Sequence, residues 1–312
     1  KVAVLDTGLH FDADIADLYD DRAEAYCFLE NDAIPSQVGA DSPAPLRFDG
    51  DEDGHGTHMC SIVLDVGTNC KVYSGRIART REDIRGKKSR QEIAARIARA
   101  IKHAVDIWKV DIISMSFGFV IKSKAVSEAI KYAHDHQVLL FAAAGNNGST
   151  EKVRYPARDP NVLCIHAATG FGNMYNGNPT KKDNTSNFAL LGVALEGFTP
   201  QMPAKVRRSG TSQATAVAAG VAALIIQIMR DSKGEVRRMG WTAQRYESAL
   251  SQLKELEGMR RVFEKMSTQR NEYEVVTPWS LLDGMGAVER SMLSGHICHT
   301  IMTLMEDYDD DE

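Results

Sequence analysis

Asp6, His55, Asn146 and Ser212 lie far apart in the chain, yet each falls at the end of an apolar run or the start of one. A serine hydroxyl is too weakly acidic to attack a carbonyl alone. It needs a histidine within hydrogen-bond reach to take its proton and a carboxylate to fix that histidine's tautomer. It also needs donors aimed at the oxyanion that develops. These four side chains supply one of each, and the chemistry they would perform together is acyl transfer through a serine ester. Singly, each has a plainer reading. Asp6 can cap a turn with Thr7 and Gly8, His55 can cap a helix, Asn146-Asn147-Gly148 is a normal turn, and Ser212 is a normal helix N-cap.

The elements that must position them alternate between strand and helix patterns. Val2 to Leu5 is a continuous apolar run, as in a parallel strand buried on both faces, and it stops at Asp6-Thr7-Gly8. Carboxyl ends of such strands form the binding crevices of open α/β sheets. Residues 27–54, rich in Asp, Pro and Gly, read as a long surface excursion. His55-Gly56-Thr57-His58 then leads into the apolar run Met59 to Val66, which ends at Gly67, so the histidines fall at a helix start. Lys71 to Ala78 is a weak strand candidate. Gln91 to Trp108 is an amphipathic helix, with Ile93, Ile97, Ala100, Ile101 and Ala104 on one stripe and Arg96, Arg99 and Lys102 opposite.

Further along, Asp111 to Gly118, Val138 to Ala143 and Val162 to Ala168 are expected as strands, with a helix from Ser123 to His134. Ser209-Gly210-Thr211-Ser212 opens an alanine-rich, almost uncharged helix, which belongs in the middle of the domain. Together these elements predict an α/β fold with a mostly parallel central sheet and helices on both faces. Trp241 to Met266 reads as one long charged helix, with Tyr246, Leu250, Leu253 and Leu256 at core spacing, packing on the core or docking on a partner. Glu306 to Glu312 is nearly all acidic and is expected to be disordered.

Asp6-Thr7-Gly8, His55-Gly56-Thr57-His58, Ala143-Ala144-Gly145-Asn146 and Gly210-Thr211-Ser212 with Ala214 occur in an order that resembles the subtilase family, over residues 1 to about 232. The resemblance implies a three-layer subtilisin-like fold and a serine endopeptidase that acts on polypeptides without an organic cofactor. It implies Ser212 as nucleophile, His55 as general base and then acid, and Asp6 as the orienting carboxylate. The oxyanion falls to the Asn146 amide and the Ser212 backbone N–H, at a helix N-terminus whose dipole favours negative charge. His58 is implied to be a buried structural partner.

Ser114-Met115-Ser116-Phe117-Gly118 looks like the substrate-binding strand, able to add a peptide by backbone pairing. Ser114, Ser116, Phe117, Gly118, Ala144, Gly145 and Arg154 are the expected substrate contacts, and Tyr155-Pro156 looks like the edge of the specificity pocket. Arg154 stands where many relatives have a small residue at the pocket base. Facing inward, its guanidinium would favour an acidic residue on the acyl side of the scissile bond; facing solvent, it would not. Three residues depart from the pattern. Ser61 replaces a usual glycine, and Gln213 and Ala216 replace a methionine and a proline near the nucleophile. Without that proline the first turn loses a preset backbone angle, but no reacting group is lost.

The 312 residues, 43% of them hydrophobic, can bury one large core or two modest ones. The expected division is a peptidase catalytic domain over 1–234, a helical extension over 235–300 that packs on it or continues it, and an acidic, disordered tail over 301–312. A net charge of -5 argues against nucleic-acid partners. The basic stretch Arg76 to Arg90 is interrupted by Glu82 and Asp83 and reads as a solvated loop, with a docking site for an acidic partner as the alternative.

The apolar run Val217 to Met229 is too short to span a bilayer and contains Gln227, so no membrane partner is expected. Cys27, Cys60, Cys70, Cys164 and Cys298 fit neither a disulfide framework nor a C-x-x-C metal site; reduced thiols and a cytoplasmic location follow, with secretion left open. Family members often hold calcium in surface loops. Asp12, Asp14 and Asp17, or Asp49 to Asp53, offer oxygen ligands, but neither set matches a defined calcium loop. The chain enters a strand at once from Lys1, as though excised from a larger multidomain protein. That start and the helical extension leave a second reading open, a weakly active or non-catalytic regulatory domain of an intracellular protein.

Overall fold

The computed structural model describes residues 1–20, 22–29, 50–85, 90–181, 185–283 and 292–309. In chain order its strands are β1 (Val2–Asp6), β2 (Ala23–Cys27), β3 (Val72–Arg76), β4 (Ile112–Met115), β5 (Leu139–Ala143), β6 (Leu163–Ala168), β7 (Phe188–Leu191), β8 (Leu195–Thr199), β9 (Met202–Arg208), β10 (Ser267–Arg270) and β11 (Tyr273–Val276). The helices are α1 (Ala13–Leu18), α2 (His55–Val66), α3 (Arg81–Arg85), α4 (Arg90–His103), α5 (Lys124–Asp135), α6 (Thr211–Asp231), α7 (Lys233–Arg238), α8 (Ala243–Leu253), α9 (Leu256–Lys265) and α10 (Leu293–Asp309).

Nine strands form one sheet in the order β10-β11-β7-β6-β5-β4-β1-β3-β2. Every pairing in it is parallel except that of β10 with β11. The apolar runs of β1, β4 and β5 are continuous because their side chains alternate between two covered faces. Val2, Val4, Ile112, Leu139 and Phe141 join the core beneath α2 and α6. Ala3, Leu5, Ile113, Leu140 and Ala142 join the core beneath α4 and α5. The expected α/β arrangement of three layers is the observed one.

α6 is the central helix, and its small residues let neighbours come close. A Cβ at Gly220 would lie 2.7 Å from Cβ of Val66, so the glycine sets the α2–α6 approach. The whole helix, at 21 residues, is long and apolar enough to cross a bilayer, whereas the apolar run alone was not; its most apolar window is 78% buried inside the protein. Among the described residues no cysteine is in a disulfide, and four of the five are buried.

The C-terminal part departs from expectation. Trp241 to Met266 is two helices, α8 and α9, broken at Lys254-Glu255, and Tyr246, Leu253 and Phe263 join the α6 core. A Cβ at Gly258 would meet the Gln252 carbonyl at 2.1 Å, so this glycine permits the tight break. The segment also contributes β10 and β11, which extend the main sheet through β7. The tail is not disordered from residue 301. α10 runs to Asp309 because Ile301, Met302 and Met305 are buried; residues 310–312 lie outside the described residues.

Candidate active site

β1 delivers Asp6 to its carboxyl end, fully enclosed. Thr7 N–H donates to Asp6 Oδ1 at 2.8 Å, and the Thr7 hydroxyl accepts from Gly56 N–H at 2.9 Å, tying the strand end to the start of α2. Gly56 permits that approach, since a Cβ there would lie 2.2 Å from the Gly8 carbonyl. Asp51 holds the same turn from the other side, accepting from Gly54 N–H at 2.9 Å and from Thr57 N–H and hydroxyl at 2.8 Å each. So fastened, α2 sets His55 Nδ1 2.7 Å from Asp6 Oδ1, with both residues buried. Facing a carboxylate, Nδ1 carries the proton, which leaves Nε2 as the basic nitrogen.

His58, one turn on, donates from Nε2 to the Val206 carbonyl at 3.1 Å. Desolvation pushes its pKa down to about 4, against the opposing pull of that carbonyl, so it is neutral at pH 7.

At the start of α6, Asn146 Oδ1 accepts from Thr211 N–H at 2.9 Å and from the Thr211 hydroxyl at 3.1 Å; Thr211 Oγ1 in turn accepts from Gly145 N–H at 3.2 Å. These bonds fix the amide orientation and leave Nδ2 as the outward donor. Gly210, at φ 152°, leaves room for that amide, because a Cβ there would meet Nδ2 at 2.9 Å. Ser212 is the second residue of α6, in the first turn, where backbone N–H groups have no partner within the helix. Its hydroxyl donates to the Ser116 carbonyl at 3.1 Å, and the Ser116 hydroxyl donates to the Ser212 carbonyl at 3.0 Å.

Ser212, Thr211, Asn146 and Gly145 line a cavity of about 430 Å³, along with Ser116, Phe117 and Gly118. Arg154 lies in its wall. The sequence of the subtilase family matches residues 1–259, most of the chain. The chain belongs to the subtilase family.

Relatives of this subtilase are proteases by name. The first, the Minor extracellular protease Epr of Bacillus subtilis (strain 168), is 28% identical over 194 residues, 57% of this chain but 27% of that protein. The chain thus spans about a quarter of Epr. Thermitase of Thermoactinomyces vulgaris is 27% identical over 237 residues, 72% of this chain and 74% of its own. The intracellular serine protease of Paenibacillus polymyxa is 29% identical over 241 residues, 74% of this chain and 68% of its own. Among solved structures, Patellamide maturation protease PatA superposes with TM-score 0.59 at 22% identity, covering 98% of this chain and 96% of that one. Prenylagaramide maturation protease PagA gives TM-score 0.60 at 20% identity, covering 89% and 91%. These two share the fold.

Within this subtilase the expected substrate contacts separate into two groups. Ser116, Phe117, Gly118, Gly145 and Arg154 line the cavity. Ser114 does not; it sits within β4 between Val4 and Phe141, fully buried, because it precedes the strand's end. Ala144 is also fully buried, its N–H on the Ile165 carbonyl and its carbonyl accepting from Arg154 N–H. Arg154 is neither solvent-facing nor unpartnered. Its side chain is 18% exposed and ion-pairs Glu151 at 3.3 Å.

Ser61 has a definite task. Its hydroxyl donates to the His58 carbonyl at 2.9 Å and accepts from Phe198 N–H at 3.0 Å. Phe198 lies at the irregularity in the β8–β9 ladder, so Ser61 satisfies an amide that the hairpin leaves over. Gln213 and Ala216 are buried in α6.

Several of the acidic residues weighed as calcium ligands have partners within the protein. Asp12 caps α1 through Ile15 N–H, Asp51 caps α2, Glu52 pairs with Arg76 and Arg79, and Asp53 pairs with Arg81; Asp49 lies outside the described residues. Arg76, Arg79 and Arg81 are thereby engaged with the acidic loop, while Lys87 and Lys88 of the same basic stretch lie outside the described residues. Sequence reading missed Asp51, the cavity wall formed by Ile84, Ile93 and Ala94, and the segment Phe119 to Lys122. The apolar run Phe119-Val120-Ile121, with Val120 and Ile121 exposed, was the available sign.

Proposed function

We propose that this subtilase hydrolyses peptide bonds with Ser212 as nucleophile. A rotation about χ1 of Ser212 carries the hydroxyl from the Ser116 carbonyl to Nε2 of His55. His55 takes the hydroxyl proton as Oγ bonds to the scissile carbonyl carbon. Asp6, against Nδ1, stabilises the imidazolium that forms. The carbonyl oxygen becomes an oxyanion held by Asn146 Nδ2–H and the Ser212 N–H, in the positive field of the α6 N-terminus. As the C–N bond breaks, His55 returns its proton to the leaving amine, and an acyl-serine remains. A water, deprotonated by His55, then releases the acid and restores the serine.

The observation that carries this reading is the 2.7 Å contact between His55 Nδ1 and Asp6 Oδ1, with both residues buried. Water exclusion strengthens that charge stabilisation. The test is digestion of an unfolded polypeptide. The native protein is expected to cleave it, and Ser212→Ala and His55→Ala, folded by circular dichroism, are expected not to. Cleavage that survives either substitution refutes the assignment. A folded native protein that cleaves nothing supports the non-catalytic regulatory reading instead.

A further inference from the structure

The cavity that Ser212 helps to line has an uneven charge. Among its described lining residues Lys122 and Arg154 are cationic and none is acidic; the rest are apolar or neutral. Arg154 is held rigidly. A Cβ at Gly118 would lie 2.5 Å from Arg154 Cβ, and one at Gly145 would lie 3.0 Å from its Cγ, so the arginine stem is wedged between the two glycines that edge the cavity. Its main chain is pinned as well, by the N–H bond to Ala144 at 2.9 Å. A guanidinium carries N–H donors in a flat fork suited to a carboxylate. Only Nη2 meets an acceptor among the described residues, Glu151 Oε2 at 3.3 Å, and Glu151 is half exposed. That counter-ion is long and solvent-screened, hence easily exchanged.

We propose that this cleft selects an acidic residue, Asp or Glu, as the one whose carbonyl is attacked. Arg154 is the receptor, and Glu151 is the resident counter-ion that the substrate carboxylate displaces. The inference rests on Ser212 being the acylated residue. Its hydroxyl and the Asn146 amide would hold the reacting carbonyl in the same cavity that Arg154 lines, so the side chain on that residue is the one within the arginine's reach. A charge-assisted, two-point contact forms there in a partly dehydrated setting. Lys122, 3.6 Å from Asp159 and largely exposed, adds long-range attraction without a fixed geometry.

The test uses a set of fluorogenic peptides identical except for Glu, Gln, Asp, Asn, Ala or Leu before the scissile bond, together with a fluorophosphonate probe that needs no such side chain. The expected result is a kcat/KM for Glu at least about tenfold above its isostere Gln, decreasing as salt is added. Arg154→Gln should bring the Glu/Gln ratio to near one. Glu151→Gln, an exposed change that leaves the arginine stem in place, should raise the ratio and keeps the test open if the Arg154 variant does not fold. A native protein that the probe labels but that cleaves Gln as well as Glu overturns this proposal alone. A folded protein that is neither labelled nor active on any peptide overturns it along with the catalytic reading.

Discussion

Ser212 and Ser116 exchange hydrogen bonds, each hydroxyl donating to the other's backbone carbonyl, at 3.1 and 3.0 Å. The pair clamps the first turn of α6 to the segment after β4. Ser116→Ala removes one half of the clamp. The expected cost is about 1 kcal/mol, seen as a lower urea midpoint at unchanged slope. An unchanged midpoint would show that the clamp contributes nothing to stability.

Asn146 has two tasks that different substitutions separate. Its Oδ1 caps Thr211, and its Nδ2 is the proposed oxyanion donor. Asn146→Ala removes both; Asn146→Asp keeps the acceptor and loses the donor. Both are expected to lower kcat by about 10²–10³ with little change in KM, a magnitude established on subtilisin itself. Only the alanine variant should also lose thermal stability. Steady-state kinetics on one neutral peptide, alongside melting curves, check the split.

Two histidines make the fold acid-sensitive. Burial pushes both His58 and His103 down to about 4, while their value in an unfolded chain is 6.5. Below pH 6.5 the unfolded chain binds two protons that the folded protein refuses until about pH 4. The stability these two histidines contribute is therefore fully present above pH 6.5 and is lost as pH falls through that window. His103 packs against Tyr26, Phe28 and Trp108. His103→Phe should therefore remove one proton from the linkage, reducing the slope of stability against pH by about 1.4 kcal/mol per unit. Urea denaturation at several pH values between 4.5 and 7.5 measures that slope; an unaltered slope contradicts the assignment.

Ser61→Ala leaves Phe198 N–H without its acceptor beside the β8–β9 irregularity. A destabilisation of about 1–3 kcal/mol is expected. Ser61→Gly, toward the usual family residue, should destabilise as well, because a mid-helix glycine is also costly. Chemical denaturation of both variants checks this, and a stabilised glycine variant would contradict it.

Much of this architecture was legible because the responsible physics is local. The apolar runs of β1, β5 and β6 mark buried parallel strands, and small residues mark α6 as central. What failed depends on distant partners. β10 reads Ser-Thr-Gln-Arg and forms only through its hairpin with β11, which docks on β7 some eighty residues earlier in the chain. Its turn places Asn271 and Glu272 at φ 49° and 66°, conformations that a glycine would have advertised but a glutamate does not. The α8–α9 break keeps core spacing on both sides, so periodicity could not reveal it.

For the candidate site, legibility was uneven. The motif residues stand at element ends, where sequence punctuation is clear. Ser114 was misjudged because the strand's end, and not its motif, decides which side chains reach the cleft. Asp51 was missed because an acidic residue in a polar loop looks the same whether it caps a helix or faces water.

The most direct measurement is mass-spectrometric mapping of the adduct formed with a fluorophosphonate, in the native protein and in Asp6→Asn and His55→Ala. A single phosphonylated residue, Ser212, is predicted, with its rate of labelling reduced by about 10³ or more in each variant. Modification of another residue, or labelling of Ser212 at an undiminished rate once His55 is gone, would contradict the account.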